Sequence, residues 1–174
     1  SIQRKIGNDE SLLIVDLLQL KLLQKEHSIV HGACLAKNGE GIVIISLPGT
    51  GKTFTSISLV KNYGFRHLSD DLTIIGKGQC WCYPTPFTIH PQHTEIFKIK
   101  LNTKDKFRMM FSNLNVPIFN PHVGLEVDEV LGSEVIETKV KANTIFFLER
   151  GSEKVSEVDS KIGLEKMKTA KDIQ

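Results

Sequence analysis

A mixed α/β domain organised around one β-sheet is what this sequence predicts, and three observations point there. Two apolar, strand-like runs, Ile29 to Ala36 and Gly41 to Leu47, flank Lys37-Asn38-Gly39-Glu40. The second run passes straight into Pro48-Gly49-Thr50-Gly51-Lys52-Thr53, after which Phe54, Ile57 and Val60 recur at helical spacing. Finally, 174 residues with 40% hydrophobic content suit one domain, residues 1–174, whose core needs no covalent cross-links.

Taken in chain order, Asn8-Asp9-Glu10 places acidic groups at the positive end of a helix carrying Leu12, Leu13, Val15, Leu18, Leu22 and Leu23. The segment Leu12 to Leu23 contains Asp16, Gln19 and Lys21 and is too short to cross a bilayer, so a buried packing helix is expected. Asn-Gly is the favoured centre of a two-residue hairpin, because both positions tolerate positive φ. The turn sets a register in which Lys37 pairs with Glu40, Ala36 with Gly41 and Cys34 with Val43, and which continued outward brings His31 opposite Ser46. Ile42 to Ile45 is apolar on both faces and reads as a central, covered strand.

Gly64 supplies a left-handed stop to the helix after Tyr63. Phe65 to Leu68 reads as a short strand delivering Asp70-Asp71, Leu72 to Ile75 continues extended to a Gly76-Lys77-Gly78 turn, and Gln79 to Tyr83 returns. The stretches around Pro84, Pro86 and Pro91, and around Pro117 and Pro121, read as irregular connections. Glu134 to Val140 and Thr144 to Leu148 look like two late strands, and a helical pattern starts at Ser160. The expected sheet is mixed, with few helices. The sequence starts at Ser1 and its final pattern reaches Gln174 with little apolar face, which is compatible with a piece of a longer protein.

Composition narrows the function classes. A formal charge of +2 gives no support to nucleic-acid binding, which needs a concentrated excess of Lys and Arg. The three cysteines, Cys34, Cys80 and Cys82, do not make a disulfide framework. With no leader-like or membrane-spanning stretch, the expected location is the cytoplasm, with no membrane or nucleic-acid partner. Association with copies of itself is left open.

The unit from Ile42 to Val60 has the physical logic of a Walker A P-loop. Consecutive backbone N–H groups curl around phosphate oxygens, Gly49 and Gly51 permit the necessary backbone angles, and the helix N-terminus adds favourable potential. Pro48, Gly49, Thr50, Gly51, Lys52 and Thr53 are therefore the expected nucleotide-binding residues, with Lys52 neutralising phosphate charge and the Thr53 hydroxyl available to Mg²⁺. Ser46 occupies the position that is glycine in G-x-x-x-x-G-K-S/T.

His31 could be an ordinary sheet residue, but the hairpin register sets it across from the start of the loop, where an imidazole can meet phosphate or acceptor. Asp70-Asp71 could be a solvated turn. Beside a lysine and a magnesium ion, however, two adjacent carboxylates gain the cations that offset their repulsion.

These residues carry a resemblance. His31-Gly32-Ala33, the hairpin into Pro48 to Thr53, and Phe65-Arg66-His67-Leu68-Ser69-Asp70-Asp71 resemble the HPr kinase/phosphorylase group, within the P-loop superfamily that includes ATP-dependent phosphoenolpyruvate carboxykinase. The likeness runs from Ile29 to Ile75 and extends loosely to Ile145-Phe146-Phe147-Leu148-Glu149-Arg150. It implies a mixed-sheet P-loop domain of the HPr kinase C-terminal domain type, with ATP and Mg²⁺ as cofactors. It implies further that His31 lies beside the phosphates, that Asp70 is the general base for an acceptor hydroxyl, and that Asp71 and Thr53 serve the metal. Because successive residues of an extended segment point to opposite sides, the two aspartates have different roles, and the reverse division is also open. HPr kinases usually carry Ser-Glu after the loop lysine where this chain has Thr53-Phe54, so the acceptor, protein or small molecule, is unassigned.

Two weaker patterns complete the reading. Cys80-x-Cys82 near His90 and His93 is better explained by a hairpin than by a metal site. Lys98, Lys100, Lys104, Lys106 and Arg108 form a basic run that reads as a solvated face, with docking to an acidic partner or a phosphate contact from Arg108 as the alternatives. The function expected is an ATP-dependent kinase acting on a hydroxyl. The alternative is a nucleotide-dependent sensor or slow ATPase with no dedicated acceptor.

Overall fold

The computed structural model describes residues 16–83, 85–112, 123–151 and 154–171. Seven strands form one mixed sheet in the order β1-β5-β6-β9-β3-β2-β4. They are β1 (His27–His31), β2 (Ala33–Lys37), β3 (Glu40–Ser46), β4 (Arg66–Ser69), β5 (Leu72–Gly76), β6 (Gln79–Trp81) and β9 (Lys139–Leu148). All neighbouring pairs in it are antiparallel except β3 and β9, which run parallel. A second sheet pairs β7 (Phe87–Ile89) with β8 (Val123–Leu125).

The β2–β3 hairpin has the expected register, Lys37 opposite Glu40, Ala36 opposite Gly41 and Cys34 opposite Val43. Its turn residues, Asn38 at φ 54° and Gly39 at φ 80°, are both left-handed, as a type I′ connection requires. Two faces of this hairpin are covered. Ala33, Leu35 and Ile44 pack with Val60 of helix α1 (Lys52–Tyr63), whereas Cys34, Ala36, Val43 and Ile45 pack with Leu68, Cys80 and Val140 on the other side. Each fully buried Leu or Ile in such a layer contributes about 1.5–3 kcal/mol relative to exposure. β3 is thus the central, doubly covered strand that its unbroken apolar run predicts. A third cluster joins Ile57 of α1 to the small sheet through Phe87, Ile89, Val123 and Leu125.

Several expectations are corrected. His31 does not lie opposite Ser46: Gly32 ends the pairing, and β1 crosses to β5, where His31 faces Leu72. The Gly32 N–H donates to the Asp71 carbonyl at 3.0 Å and its carbonyl accepts from Thr73 Oγ1 at 2.7 Å, which fixes this departure. A Cβ at Gly32 would stand 3.0 Å from the Ile44 carbonyl oxygen, so a side chain would crowd the crossing.

The segment 16–23 is helical but not buried, with Leu17, Leu20 and Leu23 each more than half exposed. It is tethered through Gln19, whose amide accepts from the Ile29 N–H at 2.7 Å and donates to Ser28 Oγ at 2.9 Å. Its expected acidic start at Asn8-Asp9-Glu10 lies outside the described residues.

The two late strands are one, β9, preceded by a 3₁₀ turn at Ser133–Val135. Pro91 opens a helix, α2 (Pro91–Phe97), because a proline in the first helical position gives up no intrahelical hydrogen bond. Two further helices, α3 (Thr103–Ser112) and α4 (Val127–Leu131), exceed the few anticipated, while the helical pattern from Ser160 forms α5 (Ser160–Lys171). Pro84, Pro117 and Pro121 lie outside the described residues. No helix among the described residues is long and apolar enough to cross a membrane.

Candidate active site

The site forms where β3 ends and α1 begins. After Ser46 the chain turns through Leu47 to Gly51, and Thr50 holds the turn closed by donating from both its N–H, at 3.3 Å, and its hydroxyl, at 2.8 Å, to the Leu47 carbonyl. Gly49 has φ 73° and Gly51, the residue before α1, has φ 99°. A Cβ on Gly51 would meet nothing within 4 Å, so glycine is required there by backbone angle and not by space. No side chain caps α1. Its first N–H groups therefore face the opening of the loop, where an anion is favoured. Pro48 and Gly49 are exposed at the lip.

Lys52 lies in the first turn of α1, only 8% exposed. Its ammonium donates to Asp71 Oδ1 at 3.1 Å and stands 3.4 Å from His31 Nε2. An ammonium can only donate, so Nε2 accepts and the ring proton belongs on Nδ1. Burial lowers the His31 pKa below its usual value. The Lys52 charge adds to that fall and Asp71 opposes it. The ring is consequently neutral at pH 7.

One residue along α1, the Thr53 hydroxyl donates to Asp70 Oδ2 at 2.7 Å. Asp70 is 1% exposed, and its Oδ1 is buried with no hydrogen-bond partner among the described residues. Burial raises the Asp70 pKa; the Thr53 hydrogen bond and the Lys52 charge pull it back, Asp71 pushes it up again, and the adjacent Ser56 hydroxyl pulls it back a little. The Asp71 side chain, in contrast, is 44% exposed. β4 and β5 present adjacent carboxylates to different surroundings, Asp70 to Thr53 inside and Asp71 to Lys52 at the opening.

The structure thus brings His31, Lys52, Thr53, Asp70 and Asp71 together at the mouth of the 48–53 loop. His31 arrives by β1–β5 pairing and not by the hairpin. Sequence reasoning gave little weight to Arg150, just past β9, whose guanidinium donates to the Gly49 carbonyl and ties the two parallel strands together at the loop. The signal available was a lone arginine directly after a late apolar strand.

Other patterns do not gather. Cys80 is buried against the core with Cys34, while the Cys82 N–H donates to the Thr138 carbonyl at 2.8 Å and His90 and His93 belong to the start of α2. Among the described residues no three His, Cys, Asp or Glu side chains are grouped to hold a metal ion. Lys98, Lys100, Lys104 and Lys106 are exposed, and the Arg108 side chain lies outside what is described.

No family model matches this sequence, and no curated protein matches it either. Among solved structures the chain is similar to the Hpr(Ser) kinase/phosphatase from Coxiella burnetii, at a TM-score of 0.47 and 12% identity over 74% of this chain and 70% of that one. These figures describe a distant likeness of shape.

Proposed function

We propose that the chain is a kinase that binds ATP with Mg²⁺ through residues 48–53 and transfers the terminal phosphoryl group to a hydroxyl of a protein or small molecule. The observation that carries this reading is the convergence of Lys52, His31 and Asp71 with the Thr53–Asp70 pair at the mouth of a glycine loop. Lys52 would exchange Asp71 for phosphate oxygens. The uncapped start of α1 would hold the phosphates from below.

The residues fit a magnesium ion. Mg²⁺ takes oxygen donors and is usually held by one or two carboxylates together with substrate phosphates. The Thr53 hydroxyl and the unpartnered Asp70 Oδ1 are such donors, already brought together. When bound, the ion would supply charge neutralisation for the transferred phosphoryl group.

The same geometry favours one division of labour, the reverse of that implied by the resemblance. Asp70, sealed behind Thr53, suits the metal side. Asp71, open to solvent, suits the acceptor. A general base must first lie within hydrogen-bond reach of the proton it takes, and only then does its pKa matter. In transfer the acceptor oxygen bonds to the terminal phosphorus, the bond from that phosphorus to the bridging oxygen breaks with its electrons leaving on ADP, and the acceptor proton passes to Asp71. His31, neutral and beside Lys52, would orient the phosphate end. Most of the rate gain would come from positioning and charge stabilisation.

The test is incubation with labelled ATP and Mg²⁺ against a panel of hydroxyl metabolites and a cell extract. Label on an acceptor supports the kinase. Label found only as free phosphate would replace it with a nucleotide-dependent sensor or slow ATPase.

A further inference from the structure

Where the ends of β3 and β9 meet the loop lies a cavity of ≈ 630 Å³. That volume is within the range of small-molecule sites. Leu47 and Thr50 of the loop, Phe147 at the end of β9 and Ile162 of α5 line it. Glu149, Glu165 and Lys166 stand among its lining residues. Lys166 pairs with Glu149 and lies 5.9 Å over the Phe147 ring.

We propose that this cavity receives the purine nucleoside end of the nucleotide whose phosphates the 48–53 loop grips. The proposal rests on the kinase reading and extends it to the base. Two features of the fold argue for it. The first is direction. Lys52 reaches toward Asp71, two residues past the end of β4, and toward His31, two residues before the start of β2, so the terminal phosphate belongs beside β2 and β4, on one flank of β3. A nucleotide held by the loop with its terminal phosphate there must extend its other end away from that flank. The parallel neighbour β9 lies on the opposite flank, and the cavity opens beside its last residues.

The second feature is chemistry. A flat aromatic base is matched by a site lined by an aromatic ring and aliphatic side chains. Purine amino groups are donors, and the carboxylates of Glu149 and Glu165 are acceptors. Arg150, bonded to the Gly49 carbonyl, joins the cavity to the loop so that one ligand can span both. Adenine and guanine share the chemistry required.

Calorimetry with ATP, GTP, UTP and tripolyphosphate, each with Mg²⁺, tests the proposal on the unaltered chain and on Ile162→Trp and Leu47→Trp, which add bulk to the cavity from two different segments of its lining. Both positions are about half exposed, so the folded core is little disturbed. The expected result is that at least one purine triphosphate binds the unaltered chain about tenfold or more tightly than UTP or tripolyphosphate, with the ATP and GTP arms showing which base is preferred. Each variant should lose that advantage and bind tripolyphosphate as before. Unchanged ATP and GTP affinity in both variants overturns the proposal and leaves the kinase reading standing, as does an equal loss for tripolyphosphate and nucleotide. Failure of the unaltered chain to bind any of the four ligands removes the kinase reading and the pocket with it.

Discussion

The Thr53 hydroxyl donates to Asp70 Oδ2 at 2.7 Å, while the next carboxylate, Asp71, is turned to Lys52. Two adjacent aspartates are thereby divided between a sealed and an open environment. Asp70→Asn should raise the Mg²⁺ concentration needed for nucleotide binding, whereas Asp71→Asn should keep binding and lose transfer by about 10²–10⁴-fold, the usual range for a general base. Nucleotide affinity measured against Mg²⁺ concentration for both variants checks this. The opposite pattern would restore Asp70 as base and Asp71 as metal ligand, and identical behaviour would end the division.

Lys52→Ala should weaken triphosphate binding by about 1.5–3 kcal/mol, roughly tenfold to a hundredfold, because a charged hydrogen-bond donor is lost from the phosphates. Unchanged calorimetric affinity in a folded variant would show that the nucleotide binds elsewhere.

His31→Ala should slow turnover with little change in melting temperature. The ring is half-buried at the end of β1, with the Lys52 ammonium 3.4 Å from its Nε2. Because burial and Lys52 hold its pKa below the usual value, any turnover that needs the neutral ring should fall off at a lower pH than an ordinary histidine would give. A melting temperature that collapses while activity per folded molecule stays normal would make His31 a sheet residue only.

His67 should make the protein acid-sensitive. It is fully buried against Phe87, with both ring nitrogens lacking partners among the described residues, and burial lowers its pKa to about 4. The unfolded chain binds the proton more readily, so stability falls as pH drops from about 6.5 toward 4, by on the order of 3 kcal/mol. Asp70, raised by burial, has the opposite sign: its contribution is present at low pH and is lost as pH rises through its folded value. Denaturant unfolding of His67→Leu across that range should lack the His67 share of the acid loss. Parallel pH curves for the two proteins would count against it.

Gly41→Val should destabilise by about 1–3 kcal/mol through overpacking. A Cβ at this position would stand 2.5 Å from Val140 Cγ1 and 2.7 Å from the Lys141 carbonyl oxygen, where β3 and β9 come together. The melting temperature reads the loss directly, and an unchanged value would mean the parallel pair can part without cost.

What could be read from the sequence was local. Asn38-Gly39 determined a hairpin and its register because positive φ at two successive residues admits one tight turn, and the apolar run from Ile42 to Ile45 announced a strand covered on both faces. The glycine loop, its lysine and the start of α1 were legible for the same reason, since strand, turn and helix are contiguous. Only the tertiary structure decided how distant segments meet. The register could be continued to His31 on paper, but Gly32 hydrogen-bonds to Asp71 and Thr73, and β1 leaves β3 for β5. Of the leucines expected on a buried helix face, Leu18 and Leu22 are only half-buried and Leu23 stands exposed, because the spacing of leucines along a helix does not say how far another element covers them. Arg150 reaches Gly49 across a parallel pairing whose partners are about a hundred residues apart, and the cavity beside it is lined in part by α5. Contacts at that separation depend on the path of the chain between them, which no local pattern records.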